Sequence, residues 1–255
     1  MLTGNELALA GEAAVAAGII NAVAGGGTLI SFPVLIGLGI PPVTANITNT
    51  VALCPGYLGG ALAQRKDLAG QRNRLIHLLP AGVIGGLIGG ILLLSVSTQL
   101  FRGLVPFLIF FAVVLLALQD RIRDWILRHA SRSSTGKVDG SSAILPVGLA
   151  AVYGGYFGAG LSVILLALLG LVYEDTLTRL NALKQCVSLV VNIAAAVFFL
   201  FSGLVLWPVA LVMAAGALAG GAIGGNIAGC IAPCMLKWTV IVIGTAIGIG
   251  FLITL

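Results

Sequence analysis

Lys184 lies well inside an apolar run that holds no acidic residue to pair with it. Around it Asn181, Gln185 and Ser188 recur at the three- and four-residue spacings that share one helix face, and Asn192 extends the row by a turn. A charge in hydrocarbon persists only where it meets a partner or a water-filled cavity, so a cation beside amide donors is the chemistry of anion binding. A lysine nearer a helix end would instead snorkel to the interface. The first half carries a second polar row, Thr44, Asn46, Thr48, Asn49 and Thr50, just after Pro41-Pro42, in which Asn46, Asn49 and Thr50 share a face.

Two glycine clusters supply the complementary half of such a site. A chain that stops and restarts inside a membrane exposes helix N-terminal N–H groups, and these favour an anion without any charged side chain. Gly25, Gly26 and Gly27, with the Thr28 and Ser31 hydroxyls beyond, form one such break; Gly158 and Gly160, followed by Ser162, form the other. The expected binding set is therefore Gly25, Gly26, Gly27, Thr28, Asn46, Asn49, Thr50, Gly158, Gly160, Asn181, Lys184 and Gln185. Glu12 is the one carboxylate plainly inside an apolar stretch and is the candidate to carry a coupling proton. The chain has two histidines and contains no His-Glu-x-x-His pattern, phosphate loop or nucleophile elbow, so neither an enzyme nor a metal site or cofactor is expected. Cys54, Cys186, Cys230 and Cys234 read as small buried hydrophobes, although Cys230 and Cys234, four residues apart, offer the alternative of an intramembrane sulfur-transfer protein.

The elements that position these residues follow from composition. Of 255 residues 59% are hydrophobic and 8% charged, with a mean hydropathy of +1.15, too few polar groups to cover a soluble surface. No alternating strand pattern points to an outer-membrane barrel, and no basic stripe with interleaved aromatics points to nucleic acid. Apolar stretches fall at 7–40, 43–64, 75–97, 101–119, 143–172, 177–202, 208–230 and 236–255. The first and fifth are too long for one crossing of a core about 30 Å thick, and both are interrupted by glycines. An all-α polytopic protein follows, with about eight transmembrane segments in two repeats of four, the first and fifth broken or re-entrant. The N-terminal residues lack the basic cluster of a secretory signal.

Gly85-Gly86-Leu87-Ile88-Gly89-Gly90 matches Gly220-Gly221-Ala222-Ile223-Gly224-Gly225 at an offset of 135, which also sets Arg102 on Lys237; an offset near 132 sets the first glycine break and Asn49 near the second break and Asn181. Residues 1–119 and 143–255 are the two repeats, joined by a basic linker at 120–142. Arg65, Lys66, Arg72 and Arg74, with Arg121, Arg123, Arg128, Arg132 and Lys137, hold nine of the thirteen basic residues in two loops, the mark of the cytoplasmic side. With those loops inside, the links near Pro41 and Thr98 and the acidic link Tyr173–Thr176 are expected outside. Four crossings per half then give parallel repeats about an axis along the membrane normal, with both termini inside.

Asn21-Ala22-Val23-Ala24-Gly25-Gly26-Gly27-Thr28-Leu29-Ile30-Ser31-Phe32-Pro33, followed by Gly39-Ile40-Pro41-Pro42 and Ala45-Asn46-Ile47-Thr48-Asn49-Thr50, resembles the first repeat of the TauE/SafE sulfite exporter family. Gly154-Gly155-Tyr156-Phe157-Gly158-Ala159-Gly160, Leu180-Asn181-Ala182-Leu183-Lys184 and Gly203-Leu204-Val205-Leu206-Trp207-Pro208 resemble the second. The resemblance implies a multi-pass transporter of the cytoplasmic (inner) membrane that moves, and as an exporter releases, a small sulfur-containing anion such as sulfite, thiosulfate or sulfoacetate, with small carboxylates as the alternative. Thr50 stands where many relatives of this kind carry a lysine, which leaves Lys184 as the main intramembrane cation. The expected partners are the anion, the bilayer and a proton or sodium gradient, with a homodimer open.

Overall fold

A computed structural model describes residues 2–23, 25–130, 140–227 and 234–253, and among them all regular structure is helical. The α-helices are α1 (Gly4–Val23), α2 (Thr28–Gly37), α3 (Pro42–Ala63), α4 (Arg72–Ser95), α5 (Thr98–Ala130), α6 (Ile144–Tyr156), α7 (Leu161–Val172), α8 (Leu177–Leu200), α9 (Trp207–Ile227) and α10 (Cys234–Ile253). Each apolar stretch becomes one helix, except the first and fifth, which become the broken pairs α1–α2 and α6–α7. α5 continues past residue 119 to Ala130, and the centre of the 120–142 linker lies outside the described residues.

Local chemistry sets several starts. Thr3 and Glu6 close α1 reciprocally: the Thr3 N–H donates to Glu6 Oε2 at 2.6 Å, and the Glu6 N–H to Thr3 Oγ1 at 3.4 Å. Pro42 opens α3, where a missing N–H costs nothing because the first N–H groups have no helical partner. Thr176 caps α8 by accepting from the Arg179 N–H.

Among the described residues five helices, α1, α4, the first part of α5, α8 and α9, are long and apolar enough to cross a membrane. Their outward faces are apolar too. On α5, Leu100, Leu104, Phe107, Phe111, Val114 and Leu118 are exposed at helical spacing, a stripe that lipid covers without penalty. The chain is an integral membrane protein.

Close glycine contacts fix the direction of each helix. Gly11 lies on Val212, and Gly18 on Ala217 and Gly221, so α1 runs parallel to α9. Gly56 lies on Ala217, and Gly225 on Gly60, so α3 does too. Gly85 lies on Gly148 and Ala151, and Gly89 on Val152, Gly155 and Tyr156, which aligns α4 with α6. Two pairs instead run oppositely. Gln64 at the end of α3 meets Asn181 at the start of α8, and Gly60 meets Gln185; Gly244 of α10 meets Val113 of α5, and Gly248 meets Phe110.

These directions overturn the expected orientation. Asp175 pairs with Arg74 and, at 2.8 Å, with Arg179, while Gln71 Nε2 donates to the Arg179 carbonyl at 3.0 Å. The Tyr173–Thr176 link therefore lies on the same side as the basic α3–α4 loop, not opposite it. The 13 residues of α6 and 12 of α7 give lengths of about 20 and 18 Å at 1.5 Å per residue, so the pair doubles back rather than crossing. α1 starts on the side opposite the basic loop, as α3 does, so α1–α2 doubles back as well. Each half then has an odd number of crossings, corresponding helices run in opposite directions, and the relating axis lies in the membrane plane. The expectation of parallel repeats with the start of α1 inside fails because hydropathy counts apolar length and not reversal.

Packing between the halves is reciprocal. α4 of the first half lies on α6 of the second, and α9 of the second lies on α1 of the first. The glycine cluster that matched at offset 135 makes these contacts: a Cβ on Gly220 would overlap the Val15 carbonyl, and one on Gly85 would stand 2.5 Å from the Gly148 carbonyl oxygen. Small residues let backbones approach where lipid offers no hydrophobic drive for association.

Candidate functional site

The asparagines do not gather at one point. Asn46 Nδ2 donates to the Tyr156 carbonyl at 2.9 Å, at the end of α6. Asn181 Nδ2 donates to Gln64 Oε1 at 2.8 Å and to the Ala22 carbonyl at 3.3 Å, at the end of α1. Each asparagine thus ties down the last turn of the other half's broken helix. Because Asn181 sits at Gln64, the two asparagines are about 27 Å apart along α3 at 1.5 Å per residue. The expected single constellation splits into two ends and a centre. Asn46 and Asn181 are equivalent at an offset of 135, so the match of Asn49 with Asn181 near 132 is a register error; Asn49 corresponds to Lys184.

Lys184, two turns into α8 on the basic side, is 1% exposed, and among the described residues it has no hydrogen bond or ion pair. Gln185 beside it is fully buried with both amide atoms unpartnered, and it packs against Gly60 of α3. A buried amine without an acid and a buried amide without a partner on the same turn of α8 are each groups that a ligand can complete, since leaving them unmet costs free energy. At the other end Asn49 Oδ1 is also buried without a partner, whereas the Thr50 hydroxyl donates to the Asn46 carbonyl at 2.9 Å and is occupied by its own helix.

The breaks are shaped by backbone. Gly25 and Gly160 hold φ of 83° and 79°, which a side chain would resist. In the first break the Gly27 N–H donates to Asn21 Oδ1 at 2.7 Å, so that donor is spent within the protein. Thr28 and Ser31 are buried, and the Ser31 hydroxyl contacts the Gly27 carbonyl at 3.4 Å. Gly26 lies beside Leu116, and Gly158 is half-buried. Glu12 is exposed on the outside of α1 and does not join the buried polar residues.

The two breaks meet at the centre. A Cβ on Gly25 would stand 2.5 Å from Ser162 Cβ, the second residue of α7. The Tyr57 hydroxyl of α3 faces Ser162 and Asn192, and the Ser162 hydroxyl is buried without a partner. Sequence reasoning missed Tyr57, Gln64 and the Tyr156 carbonyl. The 135 offset could have found the first, because it sets Tyr57 on Asn192. Cys230 lies outside the described residues, as does the Cys234 side chain, and among the described residues no cluster of His, Cys, Asp or Glu is placed to hold a metal.

On the basic side Asp175 joins α4 to α8. Its partial burial raises the carboxyl pKa, but hydrogen bonds from Arg74, Arg179 and the Thr176 N–H outweigh this and hold it below the usual carboxylate value. Arg74 also sits over the Tyr173 ring at 4.5 Å.

An integral helical protein with doubled-back helices from opposite faces and polar groups enclosed between them has the build of a membrane transporter. The chain belongs to the TauE/SafE sulfite exporter family, whose pattern, "Sulfite exporter TauE/SafE", matches residues 11–251. It is 28% identical over 206 residues to a "Probable membrane transporter protein" of Haemophilus influenzae, covering 79% of this chain and 77% of that one. It is 29% identical over 219 residues to "Probable membrane transporter protein ORF9" of Sinorhizobium sp, covering 80% and 76%. With "Probable membrane transporter protein YfcA" of Escherichia coli K12 it shares 25% over 205 residues, covering 80% and 73%. No solved structure matches the chain.

Proposed function

We propose that this transporter exports a small sulfur-containing anion, such as sulfite, thiosulfate or sulfoacetate, across the cytoplasmic membrane by alternating access. The observation that carries the reading is Lys184, a cation 1% exposed with no acid paired to it among the described residues. The basic α3–α4 loop, with Arg65, Lys66 and Arg72 exposed, sets Lys184 toward the cytoplasm, where an exporter collects its cargo. The doubled-back helices enter from opposite faces and touch at Gly25 and Ser162, so rocking of one half against the other opens the centre to each side in turn. The sequence holds no phosphate loop to bind ATP, so transport runs down the anion's own gradient or is coupled to a proton or sodium gradient.

The test is efflux of radiolabelled sulfite, thiosulfate and sulfoacetate from proteoliposomes, with acetate as the carboxylate control. The wild-type protein moves at least one sulfur anion, and Lys184→Ala reduces that flux at least tenfold at equal reconstitution. Normal flux through Lys184→Ala sinks the assignment of the cation, and flux of acetate alone replaces the substrate class.

A further inference from the structure

Ser162 is 2% exposed, yet its hydroxyl meets no partner among the described residues. It is the second residue of α7, a helix of 12 residues in which the Leu161 N–H donates to the Gly158 carbonyl and the Val163 and Ile164 N–H groups donate to the Gly160 carbonyl, which leaves the Ser162 N–H as the uncommitted first-turn donor. The left-handed turn at Gly160 aims that N-terminus inward, and Gly25 of the opposite break closes over it with no side chain of its own. Tyr57 and Asn192, equivalent residues of antiparallel α3 and α8, meet there, and the Tyr57 hydroxyl faces Ser162. Asn192 Nδ2 donates to the Ser188 carbonyl at 2.8 Å, which fixes the amide beside the Tyr57 hydroxyl. Ser188 Oγ, one turn away, is again buried without a partner. Lys184 stands about 12 Å back along α8, at 1.5 Å per residue, so its ammonium belongs to a different station.

We propose that the anion, once past Lys184, is held at the centre by neutral donors alone: the Ser162 hydroxyl, the Ser162 N–H and the Tyr57 hydroxyl. This inference rests on the transport reading above and deepens it. The ligand class is a small oxyanion with several oxygens on one atom, a sulfite or the sulfonate end of a larger molecule. A sulfite or sulfonate offers three oxygens on one atom to such donors, where a carboxylate offers two. A neutral cradle also releases its ligand readily, because no charge pair has to be broken.

The experiment is titration of purified full-length protein in detergent with sodium sulfite, thiosulfate and sulfoacetate, and with sodium acetate as the carboxylate control. Wild type, Ser162→Ala, Tyr57→Phe and Lys184→Ala are compared. Ser162→Ala and Tyr57→Phe each weaken sulfite binding at least tenfold, while the ligand-free melting temperature of Tyr57→Phe stays within about 2 °C of wild type. Sulfite affinity within twofold of wild type in both variants overturns the cradle. If Ser162→Ala does not fold, Tyr57→Phe alone decides. Loss of binding in Lys184→Ala with wild-type binding in the two hydroxyl variants sinks the cradle and spares the transport reading. A wild-type protein that binds none of sulfite, thiosulfate and sulfoacetate removes both.

Discussion

Asn46 and Asn181 make the same hydrogen bond from opposite halves of the chain: one donates to the Tyr156 carbonyl that ends α6, the other to the Ala22 carbonyl that ends α1. These carbonyls end helices inside the protein, where no following turn exists to supply their N–H partners. The bonds fasten each break to the other half and set where the chain reverses.

Removing either amide leaves a carbonyl unsatisfied, which costs about 1–3 kcal/mol when the group is buried. Asn46→Ala and Asn181→Ala each lower the melting temperature in detergent. Because the sites are remote, the double variant loses the sum of the two to within about 0.5 kcal/mol. A double variant no less stable than either single one contradicts this independence.

Sidedness is tested by labelling. In a background without native cysteines, Lys66→Cys and Glu174→Cys react with an impermeant maleimide from one face of the membrane, and Thr98→Cys from the other. All three positions are exposed. Labelling of Glu174→Cys together with Thr98→Cys restores the parallel arrangement that the contacts contradict.

Asp175→Asn removes ion pairs to Arg74 and Arg179, whose side chains are about a third exposed, so the loss is on the order of 1 kcal/mol. The folded carboxyl pKa is depressed, so its stabilising effect is full above the unfolded value near 3.8 and fades as pH falls through the lower, folded value. Wild type and Asp175→Asn therefore differ in melting temperature at pH 7 and at pH 5, and they converge only below the ordinary carboxylate range. A difference that disappears between pH 7 and pH 5 assigns the effect to another group.

Glycine substitutions separate packing from chain flexibility. Gly221→Ala drives a Cβ onto the Gly56 carbonyl and costs about 1–3 kcal/mol or blocks assembly. Gly103→Ala on α5 meets nothing within 4 Å and stabilises by about 0.5–1 kcal/mol, since alanine replaces glycine in a helix. Equal losses in both variants remove the distinction.

Much of this was legible from residues. Gly25–Gly27 and Gly158–Gly160 announced both breaks, because the apolar runs around them exceed one bilayer, and Lys184 stood out as a charge without an acid nearby. The run that became α6–α7 was legible as broken or re-entrant, but not which of the two, since hydropathy gives the same value to a crossing and to a hairpin of equal length. Nor was the pairing of Asn46 with Asn181: the glycine breaks are offset by 133, two residues short of the asparagines, and aligning on glycines pulled Asn49 into the wrong place. Tyr57 carried no charge or motif to separate it from aromatic packing. It becomes visible only once α3 and α8 are known to run oppositely.

The bond from Asn181 to the Ala22 carbonyl spans 159 residues, and this orders events in synthesis. At roughly 5–20 residues per second, about 8–32 s separate emergence of α1 from emergence of the amide that fastens its end. Through that interval the first break lacks its fastening to the second half, and Gly25 has no Ser162 to rest on. The break that arrives second therefore completes the first, and a ribosome stalled before α8 leaves a half-protein whose reversal is held only by its own bonds, such as that from the Gly27 N–H to Asn21 Oδ1.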